Sequence, residues 1–252
     1  MLRFKALRVY TLPPRSSYII NKTYPLVLWN NLIPYKFKFF TGLGTVALSI
    51  KSLHPNTVIA CLPPLTIGYY FGYKRWRHWL YLNNSTRAEQ SGVVRFERYD
   101  ETKVENVLSG IENEYDCLTR QIVDVVEQRV IEHVAETSDD VSELFVHDDQ
   151  FSMHIFPTEV ETWITSEVDV DGELVKFIKM SMPFYSVRDV ETRKRLGVVT
   201  VYLRQVAKSE HEDFHMHIEV SPLTWFKPKV LVINDVPDVL NSKLFEERNK
   251  SV

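Results

Sequence analysis

The first 88 residues contain no aspartate or glutamate, although the 252-residue chain has 33 acids. This absence excludes carboxylate chemistry from that part of the chain. It holds no acid–base carboxylate, no acidic metal ligand and no ion pair of its own. Its twelve Lys and Arg residues must find countercharge elsewhere, and the first acid is Glu89. Glycine is scarce too, with eight in all, and there is no glycine-rich phosphate loop. G-x-S-x-G, H-E-x-x-H and C-x-x-C are also missing, so the signatures of a P-loop NTPase, a serine hydrolase of that type, a zincin and a dithiol oxidoreductase are not there. The two cysteines, Cys61 and Cys117, are far apart in sequence and form no disulfide or thiolate-metal framework. Neither an internal repeat nor a low-complexity tract is present.

What is there begins with the charge. Residues 89–252 carry 18 basic and 33 acidic residues, net −15, behind an acid-free segment. Asymmetry of this size marks two environments within one chain. The opening, MLRFKALRVYTLPPRSSYIINK, is rich in Arg, Lys and hydroxyl residues. That composition is expected of a mitochondrial transit peptide. Pro13, Pro14 and Arg15 interrupt the chain before the apolar core that a secretory signal requires.

Residues 39–73 (FFTGLGTVALSIKSLHPNTVIACLPPLTIGYYFGY) carry one formal charge, Lys51. A spanning helix needs about 20 predominantly apolar residues, and residues 52–73 are uncharged. Pro63-Pro64 predicts a kink within them. The shorter run Phe39–Ile50 lies between Lys38 and Lys51, whose side chains can reach the interfaces. The expectation is two membrane spans joined by a turn at residues 52–56, with a single span and a buried hairpin of a soluble fold as the alternatives. Lys36 and Lys38 at one end, and Lys74, Arg75 and Arg77 at the other, place both ends on the same, matrix-like side. Trp76 and Trp79 with Tyr69, Tyr70 and Tyr73 form an interfacial aromatic belt, and the Lys74, Arg75, Arg77 cluster is expected to meet anionic lipid head groups.

Beyond the polar stretch NNSTRAEQSG, Val104, Leu108, Ile111, Tyr115, Leu118, Ile122 and Val125 recur at helical spacing, with Asp100 as N-cap. The stripe fits packing on a sheet or a coiled-coil partner. Strand signals follow directly. Residues 158–170 and 174–180 flank Asp171-Gly172, a hairpin turn whose residues must tolerate positive φ. Residues 198–203, 214–220 and 229–234 read as further strands, and a last helix is expected from Pro237 to about Arg248. The fold class expected is a membrane-anchored α+β protein. Residues 1–35 are a presequence and N-terminal segment, 36–80 a transmembrane hairpin and 81–99 a linker. Residues 100–252 form a soluble domain of one long helix on a mostly antiparallel sheet of four or five strands.

Two clusters carry candidate chemistry. His215, His217 and Glu219 share one strand face, and H-x-H is a workable zinc pair, with His154 a further possible ligand. The plainer reading is a solvated polar face opposite Phe214, Met216 and Ile218. Arg188, Arg193, Lys194 and Arg195 form a basic loop on an acidic domain, a possible contact to phosphate backbone or a solvated loop. No cofactor and no catalytic constellation is expected.

The two-span layout and the residues Phe39-Phe40-Thr41-Gly42-Leu43-Gly44 resemble the transmembrane protein 223 family and its fungal mitoribosome-receptor relatives. The resemblance implies a multi-pass, non-enzymatic protein of the mitochondrial inner membrane, its soluble domain facing the matrix. Such a protein would tether mitochondrial ribosomes, or the insertion machinery, for co-translational insertion. Respiratory-complex assembly, an import-translocase accessory role and a metal-dependent membrane enzyme are the alternatives.

Overall fold

The computed structural model describes residues 15–51, 54–100, 111–137, 141–147, 150–170, 172–189, 192–207, 212–223 and 229–235. Alternating apolar and polar residues fold the second half into strands, and their pairing is antiparallel throughout. We number the strands β1 (Arg15–Asn21), β2 (Val93–Phe96), β3 (Val146–His147), β4 (Gln150–Phe151), β5 (Met153–Ile155), β6 (Thr162–Val170), β7 (Glu173–Asp189), β8 (Thr192–Gln205), β9 (Glu212–Pro222) and β10 (Lys229–Asp235). The main sheet has eight strands in the order β1-β10-β9-β8-β7-β5, with β2 also paired to β9 and β6 to β7; β3 and β4 pair separately. β6 and β7 meet at Gly172, whose φ of 84° only glycine adopts without strain. Gly197 in β8 is needed for another reason. A Cβ there would stand 2.3 Å from the Phe184 ring and 2.5 Å from the Ser221 carbonyl oxygen.

The period-2 pattern divides the sheet into two different faces. One face presents Ile178, Met180, Val201, Leu203, Met216 and Ile218, all buried. The helix α4 (Glu114–Glu136) covers it with Leu118, Ile122, Val125, Val126 and Val130. The Asn113 side chain caps α4 by accepting a hydrogen bond from the Asp116 amide at 2.9 Å. The other face presents Phe177, Lys179, Ser181, Thr200, Tyr202, Arg204, His217, Glu219 and Ser221, and these are buried as well. Residues from the acid-free segment cover it: Val27 from α1 (Tyr24–Val27), Asn31 from the turn after it, and Tyr81, Asn84, Ser85 and Ala88 from the end of α3 (Pro55–Glu89). The domain therefore has three layers, α4, sheet and N-terminal helices.

Several expectations are corrected here. The transmembrane hairpin over 36–80 does not stand. α2 (Tyr35–Ile50) has 16 residues, about 24 Å of helix against a hydrocarbon core of about 30 Å. α3 is 35 residues long, but Pro63, Pro64, Gly68, Gly72 and three tyrosines dilute its apolar half, and its other half carries Lys74, Arg75, Arg77 and Arg87. No helix among the described residues is long and apolar enough to cross a membrane. A helical hairpin does exist, since Tyr69 and Tyr73 of α3 pack antiparallel on Phe39 and Tyr35 of α2. The sheet has eight strands rather than four or five, partly because Arg15–Asn21, assigned to the N-terminal segment, pairs with β10. β9 is not half-exposed, because its polar face is roofed. Among the described residues the long helix starts at Glu114 behind Asn113, and the beginning of the expected stripe, with Val104 and Leu108, lies outside the described residues. The expected last helix, from Pro237, lies outside the described residues.

Candidate functional site: the aromatic hairpin and the charged seam at its root

α2 and the first half of α3 form the hairpin that leaves most of its apolar surface uncovered. Gly42 permits the close contact: a Cβ there would lie 1.8 Å from the Tyr69 hydroxyl. Tyr69 donates to the Phe39 carbonyl at 3.3 Å, and Tyr73 to the Tyr35 carbonyl at 3.2 Å. Few other groups hold the two helices together. Outward, Phe40, Leu48, Ile59, Ile67, Phe71 and Trp79 are exposed, Ile59 by 74% and Leu48 by 72%. An apolar patch of this extent on the surface of a chain marks a contact surface for a partner or a lipid phase.

The basic residues cluster at the open end of this hairpin. Lys36, Lys74 and Arg75 are exposed. The Arg77 guanidinium lies between two rings, 5.6 Å from the centre of Tyr35 and 5.7 Å from that of Tyr81. Among the described residues no carboxylate pairs with any of them. Trp76 and Trp79 are exposed at the same level. Basic and aromatic side chains at the boundary of an apolar surface are the arrangement that suits a headgroup layer.

Below this collar the end of α3 meets a chain of charges on the sheet's polar face, its sheet members buried and its α3 members half-exposed. Glu219, 1% exposed, accepts from Lys22 Nζ at 2.7 Å and from the Tyr202 hydroxyl at 3.4 Å. Its other oxygen lies 3.7 Å from His217 Nε2 and 4.0 Å from Arg87 of α3. Burial pushes the Glu219 carboxyl pKa up. His217 and Lys22 more than reverse this, and the group is held down at about 2. Arg204 of β8 pairs with Glu89 at the end of α3. Lys179 donates to the Asn30 carbonyl at 2.9 Å and sits 5.6 Å from the centre of the Tyr202 ring. Burial first, and then the charge of Lys38, lower the Lys179 pKa to about 8. On the opposite side Arg15 pairs with Glu136 and donates to the Glu132 carbonyl. Thus Arg15, Lys22 and Arg87 meet acids of the second half of the chain, while the collar at the hairpin does not.

The remaining sequence candidates fall differently. His215 Nδ1 is 2.7 Å from the Ser91 carbonyl and His217 Nδ1 is 2.5 Å from Asn234 Oδ1. Two strands lie between their strand and β5, which carries His154, a separation of about 14 Å. Among the described residues no group of three or more His, Cys, Asp or Glu is placed to hold a metal ion. The basic loop is the tip of the β7–β8 hairpin, with Arg188 on β7 and Arg193, Lys194 and Arg195 on β8. Lys194 is exposed, whereas Arg195 is held by Glu161 in a bidentate pair of 2.7 and 2.9 Å. Sequence reasoning missed the seam. Its one signal was Lys179, which follows the apolar Val175 and Phe177 on the same side of β7. No protein-family model, curated protein or solved structure matches the chain.

Proposed function

We propose that this protein is a non-enzymatic docking factor of the mitochondrial inner membrane. The hairpin lies in the interface of one leaflet without crossing it, and the acidic sheet domain is held beside that leaflet for a protein partner. One observation carries the reading: an exposed aromatic hairpin, its basic collar paired with no carboxylate among the described residues, runs into a helix end whose Arg87 and Glu89 meet charges of the sheet's polar face. These pairs tie the root of the hairpin to the sheet. Amphipathic helices of this kind bind through apolar area and through anionic lipids. The Arg-rich, acid-free N-terminus supports mitochondrial import, and the residues Phe39-Phe40-Thr41-Gly42-Leu43-Gly44 are what remains of the likeness to ribosome-tethering proteins. The net −15 of residues 89–252 favours ribosomal protein over RNA backbone as the contact.

Vesicle flotation tests the reading. Lys36, Lys74 and Arg75 contribute about 1 kcal/mol each near an anionic surface, so phosphatidylglycerol-containing vesicles should bind roughly a hundredfold more tightly than pure phosphatidylcholine. The preference should shrink as salt rises. Absence of flotation with either vesicle would overturn the membrane role. Cosedimentation with mitochondrial ribosomes tests the partner; comigration only with a respiratory-complex assembly intermediate would shift the assignment to that process.

A further inference from the structure

A cavity of about 450 Å³ opens between the start of α2 and the middle of α3, within the size range of small-molecule sites. Four of its nine lining residues bring rings: Trp29, Tyr69, Tyr73 and Trp76. The hydroxyls that line it are already committed. Tyr69 and Tyr73 donate to carbonyls of α2, and Thr41 and Thr45 donate to the carbonyls one turn back on their own helix. Lys38 is different. Its ammonium has three donors, and it makes one long hydrogen bond of 3.4 Å to the Asn30 carbonyl while standing 5.9 Å from the centre of the Trp29 ring. Among the described residues no carboxylate pairs with it. Burial lowers its pKa to about 8, which leaves it mainly protonated at neutral pH. A half-buried cation with spare donors therefore faces an apolar, aromatic hollow.

That combination specifies its complement. A small inorganic anion would find one charged donor, Lys38, and would leave the apolar ring faces of the walls unused. A neutral hydrocarbon would leave the ammonium without a partner. We infer that the cavity takes one anionic amphiphile, its carboxylate or phosphate head on Lys38 and its alkyl chain along the aromatic walls. The inference deepens the membrane reading of the hairpin and rests on it for the source of the ligand, because the cavity lies at the level of the basic collar where head groups would be.

The test uses the full chain and tryptophan fluorescence, since Trp29 and Trp76 line the cavity. 9,10-Dibromostearate, which quenches indole on contact, is titrated below its critical micelle concentration. Saturable quenching is expected. Lys38→Met should weaken it by about tenfold or more through loss of the charge-assisted hydrogen bond, and the methyl ester should lose the same factor on the unaltered protein. Gly72→Leu should abolish it. A Cβ at Gly72 meets nothing within 4 Å and leucine is a strong helix former, so this variant fills the hollow without weakening the helix; circular dichroism checks that it folds. Displacement of the probe by monomeric dihexanoyl phosphatidylglycerol would assign the site to a phospholipid. Displacement by oleate alone would assign it to a free fatty acid. Non-saturable quenching, or quenching equal in the unaltered protein, Lys38→Met and Gly72→Leu, would overturn the inference. Vesicle flotation of the unaltered protein is read separately, so a failed cavity and a failed membrane role are told apart.

Discussion

Replacing Glu219 by glutamine keeps the shape of the side chain and removes its charge. The amide oxygen can still accept from Lys22 and Tyr202, but the largely buried Lys22 and the half-exposed Arg87 then have no anion between them. Two routes give the magnitude. Removing one partner of a buried ion pair costs about 3–5 kcal/mol. Independently, the pKa of Glu219 falls from 4.5 to about 2, which corresponds to about 3 kcal/mol at 1.36 kcal/mol per unit. Against a total stability of about 5–15 kcal/mol this is a large fraction. Urea unfolding at pH 7 followed by tryptophan fluorescence should show the midpoint of Glu219→Gln lowered by roughly 1 M, taking a slope near 3 kcal/mol per M. The pH dependence has a definite sign. A carboxyl with a depressed folded pKa contributes fully above its unfolded value of 4.5, and the contribution disappears as pH falls toward about 2. The gap between the two proteins should therefore close over that window. Because the seam roots the hairpin, the variant should also be cleaved faster by trypsin near Arg87. A gap below about 1 kcal/mol at pH 7, or one that stays constant down to pH 2, would refute the reasoning.

Three other outcomes follow from the same structure. Lys179 has a folded pKa lowered from 10.5 to about 8, so its burial opposes folding fully below pH 8 and the opposition lifts as pH rises toward 10.5; Lys179→Met should raise the denaturation midpoint at pH 7 and remove that rise between pH 8 and 10. Asp235, 2.5 Å from Arg129, has its carboxyl raised from 3.8 to about 6 chiefly by burial. Stability should thus fall between about pH 4 and 6, by up to about 3 kcal/mol, and Asp235→Asn should flatten that slope in unfolding measurements at pH 4 and 7. Gly197→Ala places a methyl group against the Phe184 ring and the Ser221 carbonyl; a loss of about 1–3 kcal/mol is expected, seen as a melting temperature lower by several degrees.

Some of this architecture was legible from local chemistry. Asp171-Gly172 marked the β6–β7 turn because few residues tolerate positive φ. Leu118, Ile122 and Val125 marked the buried stripe of α4 because a helix brings every third or fourth side chain to one line. The alternation of residues 214–220 marked a strand with two unlike faces. What covers each face is not written in that alternation. His217 and Glu219 have the pattern of a solvated edge, yet they are roofed by α3 and by the turn after α1, segments at least 120 residues away along the chain. A polar face is stable inside when partners of opposite charge arrive from elsewhere, and which segments arrive depends on chain topology.

The apolar stretch makes the same point from the other side. Its composition dictated a greasy stretch flanked by basic residues and with no carboxylate of its own. Whether that stretch could span a bilayer depended on how its residues were divided between helices, and that division was a matter of the fold. A helix break near residue 51 left 16 residues in α2, and prolines, glycines and tyrosines thinned the apolar half of α3. Hydrophobicity is a property of residues and can be read along a line. Helix length, and the partners of a buried charge, are properties of the folded chain, because they depend on contacts between residues that sequence order keeps apart.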